Sequence, residues 1–230
     1  MTIKYHDDVV QGSDEWLQMR CGVLTASEVK LILTPTLKVA DNDKTRGHVW
    51  ELAAQRLTRF VEPHYVGDDM LRGFADEIEA RRLYSLRFAK VAECGFITND
   101  KWGFTIGYSP DGLVGDNGLI ECKSRRQKYQ VQTVVEFYES GAIPAEYVMQ
   151  CQTGLLVSER EWIDLISYSG GLPMIAMRVY PDEKIQASII EAADAFETKI
   201  RSRIKDYCAA LESEPRLVPT ERRVETEMYV

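Results

Sequence analysis

The chain has 230 residues, 45% of them hydrophobic and 28% charged, with a formal net charge of −8. This size and composition suit one soluble α/β domain, and the acidic balance counts against a protein that coats DNA through a broad basic surface. No apolar run approaches the roughly 20 residues that cross a bilayer, and the first residues lack the apolar stretch of a secretory signal.

The five cysteines are Cys21, Cys94, Cys122, Cys151 and Cys208, and no two of them form a CxxC pair. We therefore expect free thiols in a reducing cytoplasm. Because the sequence has no run of apolar residues long enough to cross a bilayer, we also expect no membrane partner. The spacing predicts neither a zinc site nor an iron–sulfur cluster.

The first part of the chain is predicted to be helical. Ser13 is predicted to cap a short helix, and apolar residues at helical spacing predict two longer helices, one over about 45–60 and one from Met70 to Phe88. Between them, Thr25-Ala-Ser-Glu28 fits the capping-box pattern. That pattern predicts a further helix from about Ala26 to Leu33, which Pro35 would end.

The second part alternates between predicted strands and helices. Short apolar runs separated by Gly, Asn and Asp predict a meander of strands at 96–98, 104–108, 112–114 and 118–122. Further on, the pattern predicts helices near 127–140 and 144–158, a strand pair at 162–168 and 174–180, and a long helix over about 183–211. This order predicts one α/β domain over 1–212, with a central mixed sheet flanked by helices, and an extended or partly disordered tail over 213–230.

Two acidic residues and a lysine lie on neighbouring predicted strands. Asp111 stands in Ser-Pro-Asp-Gly, and Glu121 and Lys123 stand in Glu-Cys-Lys. Residues i and i+2 of a strand point to the same face, so Glu121 and Lys123 project together and Asp111 can meet them. Carboxylate oxygens suit Mg²⁺ or Mn²⁺, and a lysine beside a metal-bound water can orient it. The set is suited to hydrolysing a phosphodiester bond.

The same three residues have a simpler interpretation, because the pattern is short. Asp111 could start a Pro-Asp-Gly turn, and Glu121 with Lys123 could be a surface pair. The apolar run Gly118-Leu-Ile before Glu121 favours an inner strand, where a glutamate and a lysine on one face need a reason.

Several ordered motifs carry a more specific resemblance. In chain order they are Gln11-Gly-Ser-Asp-Glu-Trp16, Met19-Arg20-Cys-Gly-Val-Leu-Thr25-Ala-Ser-Glu28, Gly73-Phe-Ala-Asp-Glu77-Ile-Glu79-Ala80, Ser109-Pro-Asp-Gly112, Glu121-Cys-Lys123 and Tyr147-Val-Met-Gln150-Cys-Gln152. The chain resembles the phage lambda exonuclease family of viral recombination nucleases, within the PD-(D/E)xK superfamily, over roughly residues 11–155. The resemblance implies a single domain with the restriction-endonuclease-like fold.

The resemblance also implies roles at the cleavage site. Asp111, Glu121 and the backbone carbonyl of Cys122 would hold Mg²⁺, with Mn²⁺ as a substitute. Lys123 would position the attacking water, and Glu77 would orient water or complete the metal shell. Gln150 would steady Lys123 or the phosphate.

Other implied roles concern the DNA end. Arg20 and Ser27 match the family's 5′-phosphate pocket, and Ser27 would lie in the first turn of the helix predicted after Thr25. Met70 and Leu71 lie where the family places an apolar side chain that helps to split the terminal base pairs, although packing at the start of the helix is the simpler role.

The function that the resemblance implies is a 5′→3′ exonuclease that degrades one strand of linear duplex DNA. It would leave a 3′ overhang for a single-strand annealing protein and would assemble as a homotrimeric ring. Three alternatives stay open: a structure-selective endonuclease, a CRISPR-associated exonuclease, or a DNA-end-binding recombination factor without activity. The second usually carries a cysteine-bound cluster that the spacing here does not supply.

Overall fold

A computed structural model describes residues 2–63, 67–213 and 216–222. His64 and much of the predicted tail (214–215 and 223–230) lie outside the described residues. The helices are α1 (Asp14–Arg20), α2 (Asp43–Thr58), α3 (Asp68–Arg87), α4 (Gln127–Ser140), α5 (Ala145–Ser158) and α6 (Glu183–Ser213). The strands are β1 (Ile3–His6), β2 (Leu24–Thr25), β3 (Val91–Ala92), β4 (Phe96–Asn99), β5 (Ile106–Tyr108), β6 (Gly112–Val114), β7 (Gly118–Ser124), β8 (Trp162–Tyr168) and β9 (Ile175–Val179).

The strands form two mixed sheets. One has the order β1-β4-β5-β2, and the other has the order β3-β6-β7-β8-β9. The predicted α/β class is confirmed, but the predicted meander is divided between the sheets, because β4 and β5 pair in the first and β6 and β7 pair in the second. The chain crosses from one sheet to the other over residues 109–111.

Strand β7 is the central element of the second sheet. It pairs antiparallel with β6 and, along all seven of its residues, parallel with β8. Residues Gly118 to Cys122 are buried, as expected for an inner strand covered on both faces. The apolar run before Glu121 therefore reflects an interior position.

The helices cover the two sheets. Helix α3 packs on one face of the second sheet through Ala80 and Tyr84, which contact Ile120 and Cys122. Helix α5 contacts β4 and β5 of the first sheet as well as β8 of the second, so it bridges the two. No helix among the described residues is long and apolar enough to cross a membrane.

The predicted helix from Ala26 to Leu33 is wrong. Glu28 does reach back to the Thr25 N–H, at 2.9 Å, as in a capping box. However, Leu24 and Thr25 form β2 and pair with β5, and the Ala26 N–H donates to the Gly107 carbonyl. Only a single 3₁₀ turn, Val29–Leu31, follows. Strand pairing satisfies the backbone groups that a helix would have used, so tertiary contacts override the local pattern.

Candidate active site

Strand alternation separates the chemical residues of β7 from its packing residues. Ile120 and Cys122 face α3 in the small core on that side of the sheet. Glu121 and Lys123 therefore project to the other face, as predicted. Asp111 immediately precedes β6, whose first residue, Gly112, pairs with Ile120. The structure thus brings Asp111 beside Glu121 and Lys123.

Glu121 is the centre of a hydrogen-bond network. Its Oε1 accepts from Lys123 Nζ at 2.6 Å and from Gln150 Nε2 at 2.5 Å. Its Oε2 accepts from the Tyr108 hydroxyl at 2.9 Å. The Glu121 carboxylate is almost completely buried, so these donors from β7, α5 and β5 hold it in one position.

Asp111 is held by the strand that carries the other two residues. Its Oδ2 accepts from the Cys122 N–H at 2.5 Å. Burial, followed by the charges of Glu121 and Glu77, raises the pKa of Asp111 well above its ordinary value. The thiol of Cys122 is buried, and its pKa is also raised, so this residue acts as packing and offers its main chain to the site.

Glu77 approaches the same site from α3. Arg81, one helical turn further along α3, is 3.9 Å from Glu77 and lies closer to Glu93, at 3.2 Å. Burial raises the pKa of Glu77, and the charge of Glu121 adds to the rise while those of Arg81 and Lys123 oppose it. Glu77 is therefore close enough to Glu121 and Lys123 to interact with their charges, although it lines a neighbouring cavity with Arg81.

The donor set fits a divalent cation. Asp111 and Glu121 line one cavity, and burial, followed by the charges of the neighbouring carboxylates, raises the pKa of Asp111, so a cation bound there would stabilise its charged form. Hard carboxylate oxygens facing a cavity are what Mg²⁺ or Mn²⁺ prefers. Among the described residues, no three His, Cys, Asp or Glu side chains form a complete ligand set by themselves. The predicted set of two carboxylates and a carbonyl would leave positions for water.

A cavity of about 210 Å³ joins the carboxylates to Arg20. Arg20 donates to the Ser109 hydroxyl at 3.4 Å and to the Thr25 hydroxyl at 3.3 Å, and its Cζ lies 4.4 Å from the Trp16 ring centroid. The Trp16 indole N–H donates to the same Ser109 oxygen, at 2.9 Å. Burial lowers the pKa of the Arg20 guanidinium, and the charge of Glu28 partly offsets this.

The sequence of the chain matches a known protein family. Residues 15–161, well over half of the chain, match the YqaJ-like viral recombinase domain. The chain belongs to this family. The predicted resemblance to viral recombination nucleases is confirmed, and with it the prediction of a nuclease with a mixed α/β fold.

Solved structures agree with this assignment. The chain is similar to LHK-Exo, an alkaline exonuclease from Laribacter hongkongensis, with 29% identity and a TM-score of 0.75, covering 87% of this chain and 98% of that chain. LHK-Exo in complex with dAMP matches at 30% identity, with the same TM-score and coverage. A phage-related exonuclease from Haemophilus somnus 129PT shares the fold, with 13% identity, a TM-score of 0.60, and coverage of 80% and 96% of the two chains. No curated protein sequence matches the chain.

The second residue predicted for the 5′-phosphate pocket, Ser27, lies at the same cavity but not in a helix. It is exposed on the turn after β2, and its hydroxyl is 3.3 Å from that of Thr25. The predicted contribution of a helix dipole is therefore wrong, since only the 3₁₀ turn of three residues follows. What Ser27 can offer an anion is its hydroxyl group.

Met70 and Leu71 lie in the first turn of α3. Their exposed fractions are 39% and 57%, so neither side chain is buried by packing at the start of the helix. Phe74 and Ile78 continue the same exposed apolar strip along α3, toward Glu77. The two residues predicted as a wedge are thus accessible, on the helix that carries Glu77.

Sequence reasoning missed several residues of the site. Tyr108 and Ser109 directly precede the predicted Pro-Asp-Gly segment, and Trp16 belongs to the first motif, yet none was assigned a role. Their contacts depend on the pairing of β5 with β2 and β4 in the first sheet, which the sequence pattern does not predict. Tyr108 carries the one available signal, a hydroxyl three residues before Asp111 in an otherwise apolar strand.

Proposed function

We propose that this chain is a Mg²⁺-dependent exonuclease that degrades one strand of linear duplex DNA from its 5′ end. The product would be a 3′ overhang for a single-strand annealing protein in the cytoplasm. One observation carries the proposal: a cation suited to a terminal phosphate, Arg20, lines the same cavity as the carboxylates Asp111 and Glu121. The similarity of the chain to LHK-Exo, an alkaline exonuclease, supports it.

The residues that would hold the metal are Asp111, Glu121 and the carbonyl of Cys122. A bound Mg²⁺ supplies Lewis-acid chemistry: it makes a water more acidic and neutralises charge on a phosphate. Tyr108 and Gln150 fix the Glu121 carboxylate by hydrogen bonds, so its position is set before substrate arrives.

Lys123 would act as a hydrogen-bond donor. Burial opposes its charge, but the nearby charges of Glu121 and Asp111 outweigh burial and raise its pKa above the ordinary value. A lysine that stays protonated orients a water through the lone pairs of that water and stabilises negative charge on the phosphate. Glu77, whose charge interacts with those of Glu121 and Lys123, would orient that water or complete the metal shell.

Arg20 would select the DNA end. Its present partners are the neutral hydroxyls of Ser109 and Thr25, and none of the described carboxylates lies within ion-pair distance of it. A terminal phosphate would give the guanidinium a charged partner that an internal site lacks.

The test is digestion of linear and closed-circular forms of one plasmid in Mg²⁺, with Lys123→Ala and the exposed Lys205→Ala as matched variants. We expect the wild type and Lys205→Ala to degrade the linear form alone, and Lys123→Ala to be inactive while still binding DNA. Cutting of closed circles would favour a structure-selective endonuclease, and binding without any cleavage would favour a non-catalytic end-binding factor. Labels at the 5′ and 3′ ends report the direction.

A further inference from the structure

A second, larger cavity lies next to the one that contains Arg20. Its volume is about 430 Å³, and its walls include Ser27, Lys30, Lys123, Glu146, Tyr147 and Gln150. Ser27 and Gln150 line both cavities, so the two are neighbours. The first contains the carboxylates and Arg20, whereas the second contains Lys123. The second cavity therefore adjoins the first at Ser27 and Gln150, on the side of Lys123.

Two lysines line this cavity, and of the two only Lys30 has no ion-pair partner among the described residues. Lys123 is paired with Glu121, and Glu146 is paired with Arg125 at 2.5 Å. Lys30 is exposed at the end of the turn that carries Ser27, and no ion pair of Lys30 is found in the described part of the chain. An anion would therefore be attracted to Lys30.

The same cavity is also lined by the aromatic ring of Tyr147. Arg125, whose side chain is 10% exposed, donates from Nη1 to the Tyr147 hydroxyl at 2.6 Å. The Lys123 Nζ lies 5.5 Å from the Tyr147 ring centroid, and the Arg125 Cζ lies 5.3 Å from it. These contacts fix the ring in place beside the catalytic lysine. A fixed ring next to a free cation suits a nucleotide, which has an apolar base and an anionic phosphate.

We propose that this cavity binds the nucleotide on the 3′ side of the bond being cut, with Lys30 contacting the next phosphate along the strand. The proposal rests on the proposed function. If the 5′ phosphate binds at Arg20 and the scissile phosphate at the carboxylates, the terminal nucleotide occupies the first cavity. The following nucleotide then reaches the second. Lys30 would thus hold the phosphate that becomes the next scissile one, and Tyr147 would contact the base of that second nucleotide.

The test removes the charge from that phosphate. A duplex carries a neutral methylphosphonate at the phosphate immediately 3′ of the first scissile one, and the rate of the first cleavage is measured under single-turnover conditions. We expect the modification to slow the wild type about tenfold, as for loss of one charged contact. Lys30→Ala should be slowed about tenfold on unmodified DNA and no further on the modified duplex. Lys205→Ala should behave as the wild type.

Two results would overturn the proposal. One is a wild type that is insensitive to the methylphosphonate. The other is a Lys30→Ala variant that the modification slows by the same factor as the wild type, because independent effects multiply. The same duplexes are compared by equilibrium binding in Ca²⁺. A wild type without cleavage would overturn the proposed function, while the binding comparison would still decide the Lys30 contact.

The contact between Tyr147 and the base of the second nucleotide is tested in a separate experiment. An abasic site at the second nucleotide should slow the wild type, and Tyr147→Leu, which removes the ring, should show no additional slowing. Tyr147→Phe keeps the ring and loses only the hydrogen bond from Arg125, so it should retain the sensitivity to the abasic site. Equal sensitivity in Tyr147→Leu and the wild type would place the base elsewhere.

Discussion

Asp111 is buried near Glu121 and Glu77. The charge of Lys123 and the hydrogen bond from the Cys122 N–H offset only part of the cost of burying its negative charge. Its raised pKa means that the folded protein binds this proton more tightly than the unfolded chain does. In the metal-free protein, the free energy of unfolding therefore falls as the pH rises above the ordinary carboxyl pKa of about 4. Both states are protonated below that pH, and the effect disappears.

This predicts that Asp111→Asn stabilises the metal-free protein while it abolishes cleavage. We expect the free energy of unfolding at neutral pH in EDTA to rise by roughly 1–3 kcal/mol, the cost of burying a polar group without full compensation, because the neutral amide removes the buried charge. The gain should shrink as the pH is lowered. Urea unfolding at several pH values measures it, and the exposed Asp116→Asn in the β6–β7 turn is the control. A gain that does not depend on pH would contradict the charge argument.

Arg20 gives a second prediction for a single residue. The wild type should prefer a 5′-phosphorylated duplex to a 5′-hydroxyl duplex by about ten- to a hundredfold, as expected for charge-assisted hydrogen bonds. Arg20→Ala should slow the phosphorylated substrate and leave the hydroxyl substrate nearly unchanged. Cleavage rates on the two substrates measure this. Equal slowing of both would make Arg20 a structural residue or a general phosphate contact.

At the scale of elements, helix α3 joins a proposed catalytic residue to an exposed apolar strip. Leu71, at the start of the helix, is 57% exposed, and an inserted apolar side chain can offset the cost of unstacking a base pair. Leu71→Ala should therefore slow digestion of a blunt duplex more than digestion of a pre-frayed end, and Met70→Ala should act in the same direction. Leu211→Ala, an exposed leucine on α6, is the matched control. Equal slowing of digestion on the blunt and the pre-frayed duplex would contradict the hypothesis that these side chains act as a wedge.

The proximity of Glu121 and Lys123 could be predicted from the sequence because it depends on local structure. Strand alternation places Glu121 and Lys123 on one face whatever the rest of the fold does, and Cys122 on the other. Most helices and strands could likewise be predicted from periodicity and caps. Ser13, for example, caps α1 and accepts from the Trp16 N–H.

Contacts between distant segments could not be predicted in this way. The pattern from Thr25 to Glu28 favours a helix, and only the pairing of β2 with β5 excludes one. Periodicity also does not predict the division of the strands into two sheets. It indicates which face of a strand a residue lies on, but not which other strand pairs with it. The close approach of Tyr108 to Gly154 is such a case: a Cβ at Gly154 would lie 2.8 Å from the Tyr108 ring.

For the whole molecule, we predict a homotrimer of about 79 kDa, three times the 26.2 kDa chain. A chain with a net charge of −8 is poorly suited to hold DNA by charge alone, and a closed ring would retain it by topology. Light scattering at micromolar concentration measures the mass. A monomer would argue against the ring and would predict that the enzyme leaves DNA after few cleavage steps.

The crossing between the two sheets has a consequence for the size of the product. Ser109 accepts from Arg20 and Trp16, and Asp111, only two residues later, belongs to the cleavage site. Two residues span at most about 7 Å, close to the separation of neighbouring phosphates on one DNA strand. Gln11 holds the segment between them by donating to the Pro110 carbonyl. Under the proposed function, residues 109–111 would act as a ruler: their length would set the release of one nucleotide per cut, and an inserted residue should lengthen the fragment released.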